Sequence, residues 1–185
     1  MTDNIPGNIP DNIHEYQIHR HFVFVSSSLR DRDKYPMTTD FKIDLPKEYR
    51  DVISVELTAG NLPNLDSISD DAFLFLDVKD LNHIDTCENT DYFGILTLHK
   101  ANSNNFFTLD KSSTNAMPIT FRPPKQKLSN VYIKLFHPDK TPVDFGSEAS
   151  NVSINQLIQT SFVFEIKTRI LKRHPEMGQY TLNTI

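Results

Sequence analysis

Tryptophan is absent from this chain, cysteine occurs once and glycine only five times in 185 residues. One cysteine, Cys87, forbids an intrachain disulfide, so the fold must hold without covalent staples and suits a reducing compartment. Cys87 lies between Thr86 and Glu88 in a polar stretch and reads as an incidental thiol. Five glycines make a backbone cradle for a nucleotide hard to build, and neither Gly-x-Ser-x-Gly nor His-Glu-x-x-His occurs. Without tryptophan, a sugar platform built on indole rings is missing. No apolar run approaches the roughly 18–20 residues that span a bilayer. The opening "MTDNIPGNIPDNIHEYQ" has no basic region followed by an apolar one, so no signal peptide is expected. The Asn151-Val152-Ser153 sequon is then read as chance. Basic residues are also short: 19 Lys and Arg stand against 24 Asp and Glu, a net charge of −5. That balance argues against a dedicated nucleic-acid binder.

What the chain does have is phenylalanine, thirteen of them, enough to fill a core although the apolar share is only 38%. From residue 20 onward the pattern is β. "HFVFVSSS" carries apolar residues on both faces (Phe22 to Val25), which predicts a central strand or one that faces a neighbouring subunit. Phe41, Ile43 and Leu45 alternate with polar residues, and Pro46 is expected to stop that strand. Ile53, Val55, Leu57 and Ala59 are expected on one face of the next, with Ser54, Glu56 and Thr58 opposite; Gly60, Asn61 and Pro63 should end it. Further strands are expected at 72–78, 92–98, 104–109, 117–123 and 128–136. The stretch 160–170 should place Phe162, Phe164 and Ile166 together. Only 151–159 could form a short helix. Eight to ten short strands with almost no helix predict an all-β fold, an antiparallel β-sandwich or jelly-roll-like barrel.

Both ends read differently. In "NIPGNIPDNI" a period of four places Ile5, Ile9 and Ile13 beside Pro6 and Pro10, which excludes helix and central strand. Residues 1–18 are therefore expected as an extended N-terminal arm, 19–168 as the β-domain and 169–185 as an extended basic C-terminal arm. The isoleucines are candidates for docking on a partner, as are Lys167, Arg169, Lys172 and Arg173 near the other end; the bland alternatives are a floppy terminus and a solvated strand end.

Candidate chemistry is thin. His19 and His21 would share a strand face, with His14 nearby, and could hold a divalent metal, but no downstream motif completes the ligand set. Acidic pairs such as Asp31 with Asp33 and Asp66 with Asp70 read as turn residues. The densest charged stretch is "RDRDKYP" (30–36). In extended geometry Arg30 and Arg32 point one way and Asp31 and Asp33 the other, leaving the arginines to bind carboxylates or carbonyls of a neighbouring loop. Pro36 holds Tyr35 extended. Such a device orients and locks; it has no activated nucleophile. Arg30, Asp31, Arg32 and Tyr35 are candidate protein-contact residues.

The stretch "SLRDRDKYPMTTDFKIDLPKEYRDVISVELTAGNLPN" (28–64) resembles a family of small β-sandwich minor capsid proteins of nucleocytoplasmic large double-stranded DNA viruses, chlorella-virus-like and also iridovirus-like and mimivirus-like. "SNVYIKLFHPDKTPVDF" (129–145) and the final "SFVFEI" (161–166) resemble later parts of the same pattern, in the same order. Two departures stand out: Lys140 where the family turn has Gly, and an insert at 155–158. The resemblance implies a non-enzymatic cement protein of the virion, assembled in the host cytoplasm. It would link major capsid protein capsomers and other minor capsid proteins in many symmetric copies, with the inner membrane close by. It implies no cofactor and no specific nucleic acid. The alternatives are a viral attachment or glycan-binding module, using acidic loops near 66–71 and 85–91, and a β-fold metalloenzyme using His19 and His21.

Overall fold

A computed structural model describes residues 16–85, 90–98, 105–113 and 118–171. Ile5, Ile9, Ile13, His14, Cys87, Lys172 and Arg173 lie outside the described residues.

Among the described residues, alternating and two-sided apolar runs become nine strands: β1 (Tyr16–Ser26), β2 (Asp40–Pro63), β3 (Phe73–Val78), β4 (Ile84–Asp85), β5 (Asp91–Tyr92), β6 (Gly94–Thr97), β7 (Phe106–Leu109), β8 (Ile119–Phe136) and β9 (Ser161–Leu171). Helical structure among the described residues is confined to three-residue 3-10 turns at Ser27–Leu29, Asp66–Ile68 and Gln156–Ile158. The stretch 151–159 therefore supplies one such turn rather than an α-helix. Every ladder is antiparallel, in the order β1-β9-β2-β8-β3-β6, with β7 also on β2 and a small β4-β5 pair apart. The fold is all-β, a curled antiparallel sheet that forms a half-barrel. Its two walls meet across the interior, where the Phe93 ring packs edge-on against Phe164 at 5.7 Å.

β2 is the spine. It joins two stretches expected to be separate strands, because Pro46 falls in a break of the β2–β8 ladder between Asp44 and Tyr49. No ladder bond is needed there, so the missing N–H does not end the strand. Two irregularities in its pairing with β9, at Val52/Ser54 and Leu57/Ala59, insert an extra residue each. Each insertion moves the following residues to the opposite face. The core face is therefore Val52, Val55, Leu57 and Leu62, all nearly fully buried, while Ile53 and Ala59 drop out of it. The Thr58 hydroxyl donates to Val163 O at 3.0 Å and braces the second bulge. Gly60 lies inside β2 rather than ending it. A Cβ there would sit 2.8 Å from Ser161 O, so the β2–β9 approach demands glycine. On β9 the expected trio holds: Phe162, Phe164 and Ile166 are all buried.

β1 corrects the expectation of a central strand. Among the described residues it pairs with β9 alone and so forms one edge of the sheet. Val23 and Val25 fill the core, whereas Phe22 and Phe24 face outward at 67% and 60% exposure. The sheet also extends past the expected domain limits, since Tyr16 pairs with Leu171. The two ends of the described sheet, Tyr16 and Leu171, thus lie side by side.

Candidate functional site

Two features stand out: a buried arginine clamp behind the charged loop, and the outward face of β1.

The clamp begins where β1 ends. The Ser26 hydroxyl accepts from Ser28 N at 3.2 Å and turns the chain through Ser27–Leu29. This brings Arg30 inward. Its side chain is fully buried, and its guanidinium makes five hydrogen bonds. Nε donates to Tyr35 O at 2.8 Å, and Nη1 to Ser27 O at 2.7 Å and Gln159 Oε1 at 2.9 Å. Nη2 donates to Pro36 O at 2.9 Å and Glu148 Oε2 at 3.2 Å. All five N–H donors of an arginine are thereby used. Gln159 closes the circuit: its Oε1 also accepts from Ser27 Oγ, and its Nε2 donates to Glu148 Oε2 and Asn155 O. Glu148 Oε1 accepts from Asn155 N. Burial pushes the Glu148 carboxyl up, but the Asn155 amide, the Gln159 amide and the Arg30 guanidinium outweigh it and leave the group below its ordinary value.

Arg32 acts on the same segment, donating to Val152 O at 2.7 Å and Ser150 O at 3.0 Å. Asp31 stays outside; its carboxylate accepts from Asp33 N and Lys34 N and pairs with Lys34 Nζ at 3.0 Å. Tyr35 packs on Tyr132, ring centres 5.8 Å apart. Residues 31–34 form a turn rather than the expected extended stretch, and the two arginines hold the 148–160 segment of this chain, Arg30 through the Glu148 and Gln159 side chains and Arg32 through two carbonyls. Arg30 is not a surface that a partner could touch. Sequence reading missed Glu148 and Gln159, which sit singly in loops without any spacing motif that points to them.

The second feature is the outward row of β1. Alternation puts Tyr16, Ile18, Arg20, Phe22 and Phe24 on one face; Tyr16, Ile18, Phe22 and Phe24 are all exposed large hydrophobics. Beside them on β9, Phe22 opposes Glu165, Arg20 opposes Lys167 and Ile18 opposes Arg169. Glu165 is nearly buried and sits 3.5 Å from Arg20 Nε and 3.7 Å from Lys167 Nζ. Arg169 lies over the Tyr16 ring at 4.3 Å. Lys167 and Arg169 thus share a face, as expected, and flank the aromatic row.

The histidine pair falls on the other face of β1. The His19 and His21 rings are 6.5 Å apart. His21 Nε2 lies 3.1 Å from Thr168 Oγ1, and burial first, then Lys47 and His19, lower its pKa, so the ring is neutral at pH 7. It lines an open groove of about 530 Å³ with Tyr49, Arg50 and Arg169 among its walls. Among the described residues no group of three or more His, Cys, Asp or Glu side chains is placed to hold a metal ion. No helix among them is long and apolar enough to cross a membrane. Chemically, these groups offer hydrogen-bonding and stacking contacts rather than a nucleophile beside a base.

No protein-family model matches the chain, and no curated protein matches it.

Proposed function

We propose that this chain is a non-enzymatic minor capsid protein that cements capsomers in the shell of a large icosahedral DNA virus. The observation that carries this reading is the row of Ile18, Phe22 and Phe24, more than half exposed along a sheet edge that no other strand among the described residues pairs. An exposed apolar row on a sheet edge, broken only by Arg20, favours a protein-contact surface. The clamp favours the same role. It fixes the 148–160 loop to the end of β1 and gives the edge a rigid base for repeated contacts. The described chain begins at Tyr16 and ends at Leu171, paired side by side at one corner of that edge, from which arms could reach neighbouring subunits. In a closed shell each such contact is repeated by symmetry, so a modest interface acts many times.

The test is the copy number of the chain in purified virions, measured by quantitative mass spectrometry against the major capsid protein. A copy number that is a fixed multiple of the icosahedral unit, retained after detergent treatment, is expected. A handful of copies per particle, or none, overturns the cement reading; the first of these fits an attachment role instead.

A further inference from the structure

The free edge of β1 and the N-terminal repeat have matching parity. From the two together we infer that residues 4–13 of one copy add as an edge strand to β1 of a second copy. β1 offers eleven residues of strand whose second edge is unpaired by any other strand among the described residues. Long bare edges invite strand addition, and natural proteins blunt them with charge, proline or bulges. Within Phe22–Val25 this edge carries none of these.

The repeat has the pattern that such an added strand needs. In an extended strand, consecutive residues turn their N–H and C=O groups to opposite edges and their side chains to opposite faces. In "NIPGNIPDNI" Pro6 and Pro10 both fall on even positions, with Asn4, Asn8 and Asn12. Ile5, Gly7, Ile9, Asp11 and Ile13 fall on odd ones. The odd residues can all donate to β1, while both prolines lie along the outer edge, where a missing N–H costs nothing and further addition stops. The three isoleucines then share one face, that of Ile18, Phe22 and Phe24. In an antiparallel register with Asp11 opposite Arg20, Ile9 faces Phe22, Ile13 faces Ile18 and Gly7 faces Phe24. Ile9 and Ile13 meet apolar residues, Ile5 falls opposite Ser26 at the end of the strand, and the lone acid in the row meets the lone base.

A second copy is the donor, rather than the same chain folding back. In this register Ile13 faces Ile18, so a return within one chain would have to turn at His14-Glu15-Tyr16-Gln17, yet Tyr16 and Gln17 are held extended in the ladder opposite Leu171 and Ile170. Fifteen extended residues reach about 50 Å from Tyr16, the span of a neighbouring subunit. This inference stands apart from the capsid reading and would hold for any assembly that contains the chain.

Complementation of two full-length variants tests it. One carries Ile5→Ser, Ile9→Ser and Ile13→Ser and keeps a native edge; the other carries Phe22→Lys and Phe24→Lys and keeps a native arm. Sedimentation and light scattering read mass, circular dichroism checks the fold, and hydrogen exchange reads the β1 amides. The native chain is expected to associate with rising concentration as its β1 amides become protected. Each variant alone should remain a monomer, and their mixture should recover a one-to-one dimer. Association that survives in the isoleucine variant would mean that β1 pairs with β1 and overturns the inference. So would a mixture that stays monomeric, or a native chain that stays monomeric with β1 either protected by its own arm or unprotected.

Discussion

At the scale of single residues, Arg30 is the most consequential side chain in the molecule. Its charge is buried, and it is tolerated only because five acceptors surround the guanidinium and one of them is the Glu148 carboxylate. Truncation would take the positive charge from beside Glu148 and one donor from each of the carbonyls of Ser27, Tyr35 and Pro36, of which Ser27 O keeps Arg30 N and Pro36 O keeps Glu148 N. Arg30→Ala is expected to cost about 3–5 kcal/mol, the range for breaking a buried pair from one side, read by urea denaturation. Arg30→Lys should recover little of this, because an ammonium cannot satisfy a planar fork of acceptors. Glu148 adds a pH dependence whose sign is fixed. Its folded-state pKa lies below the ordinary value of 4.5, so its contribution is fully present above that pH and is lost as pH falls through the folded value. The stability difference between the native chain and Glu148→Gln should therefore shrink between about pH 5 and pH 3. A difference that stays constant over that interval would show that Glu148 is not held as a carboxylate.

At the scale of elements, the bulges of β2 and the tight β2–β9 approach decide the core. Gly60→Ala places a methyl group 2.8 Å from Ser161 O and 3.0 Å from Phe162 Cδ1. Backbone cannot yield there cheaply, so a loss of about 1–3 kcal/mol is expected, with a matching drop in Tm. The turn after β8 offers the reverse case. Lys140 sits at φ +70°, a conformation that glycine adopts without a Cβ penalty. Lys140→Gly should raise stability by up to about 1 kcal/mol in thermal unfolding. The strand pattern itself was legible in the sequence: Phe41-Ile43-Leu45, Val131-Ile133-Leu135 and Phe162-Phe164-Ile166 all face the core. The phase of β2 was not, because a strict period of two cannot register an inserted residue; Ile53 and Ala59 were expected inside, where Val52 and Leu62 stand. Nor was the edge position of β1. Two-sided apolar character marks burial on both faces, and it does not distinguish burial within one chain from burial against another. Of the candidate site, the capacity of Arg30 and Arg32 to bind carboxylates and carbonyls could be read from residue type, but the turn that starts at Asp31 could not be read from an extended spacing. Glu148 and Gln159 could not, since 118 and 129 residues separate them from the arginine they hold.

At the scale of the whole molecule, the clamp and the aromatic edge divide the work, and the division can be measured. The clamp lies at the end of β1 and is wholly internal, so it governs how firmly the edge is held. Phe22 and Phe24 face outward from the same strand and make little contribution to the core that Val23 and Val25 fill. Phe22→Lys with Phe24→Lys should accordingly leave unfolding stability within about 1 kcal/mol of the native chain, as expected for substitutions on an exposed strand face. If the chain is a shell component as proposed, the same pair should remove it from purified particles, because in that role the apolar row is the contact. Arg30→Ala should behave in the opposite order: it lowers stability strongly, yet at a temperature well below its reduced Tm it should still be incorporated, since its outward face is unchanged. Stability and incorporation would thus separate across the two variants. If the two phenylalanine substitutions instead destabilised the chain as much as Arg30→Ala, the outward row would belong to the fold of the monomer, and its exposure would cease to argue for a partner.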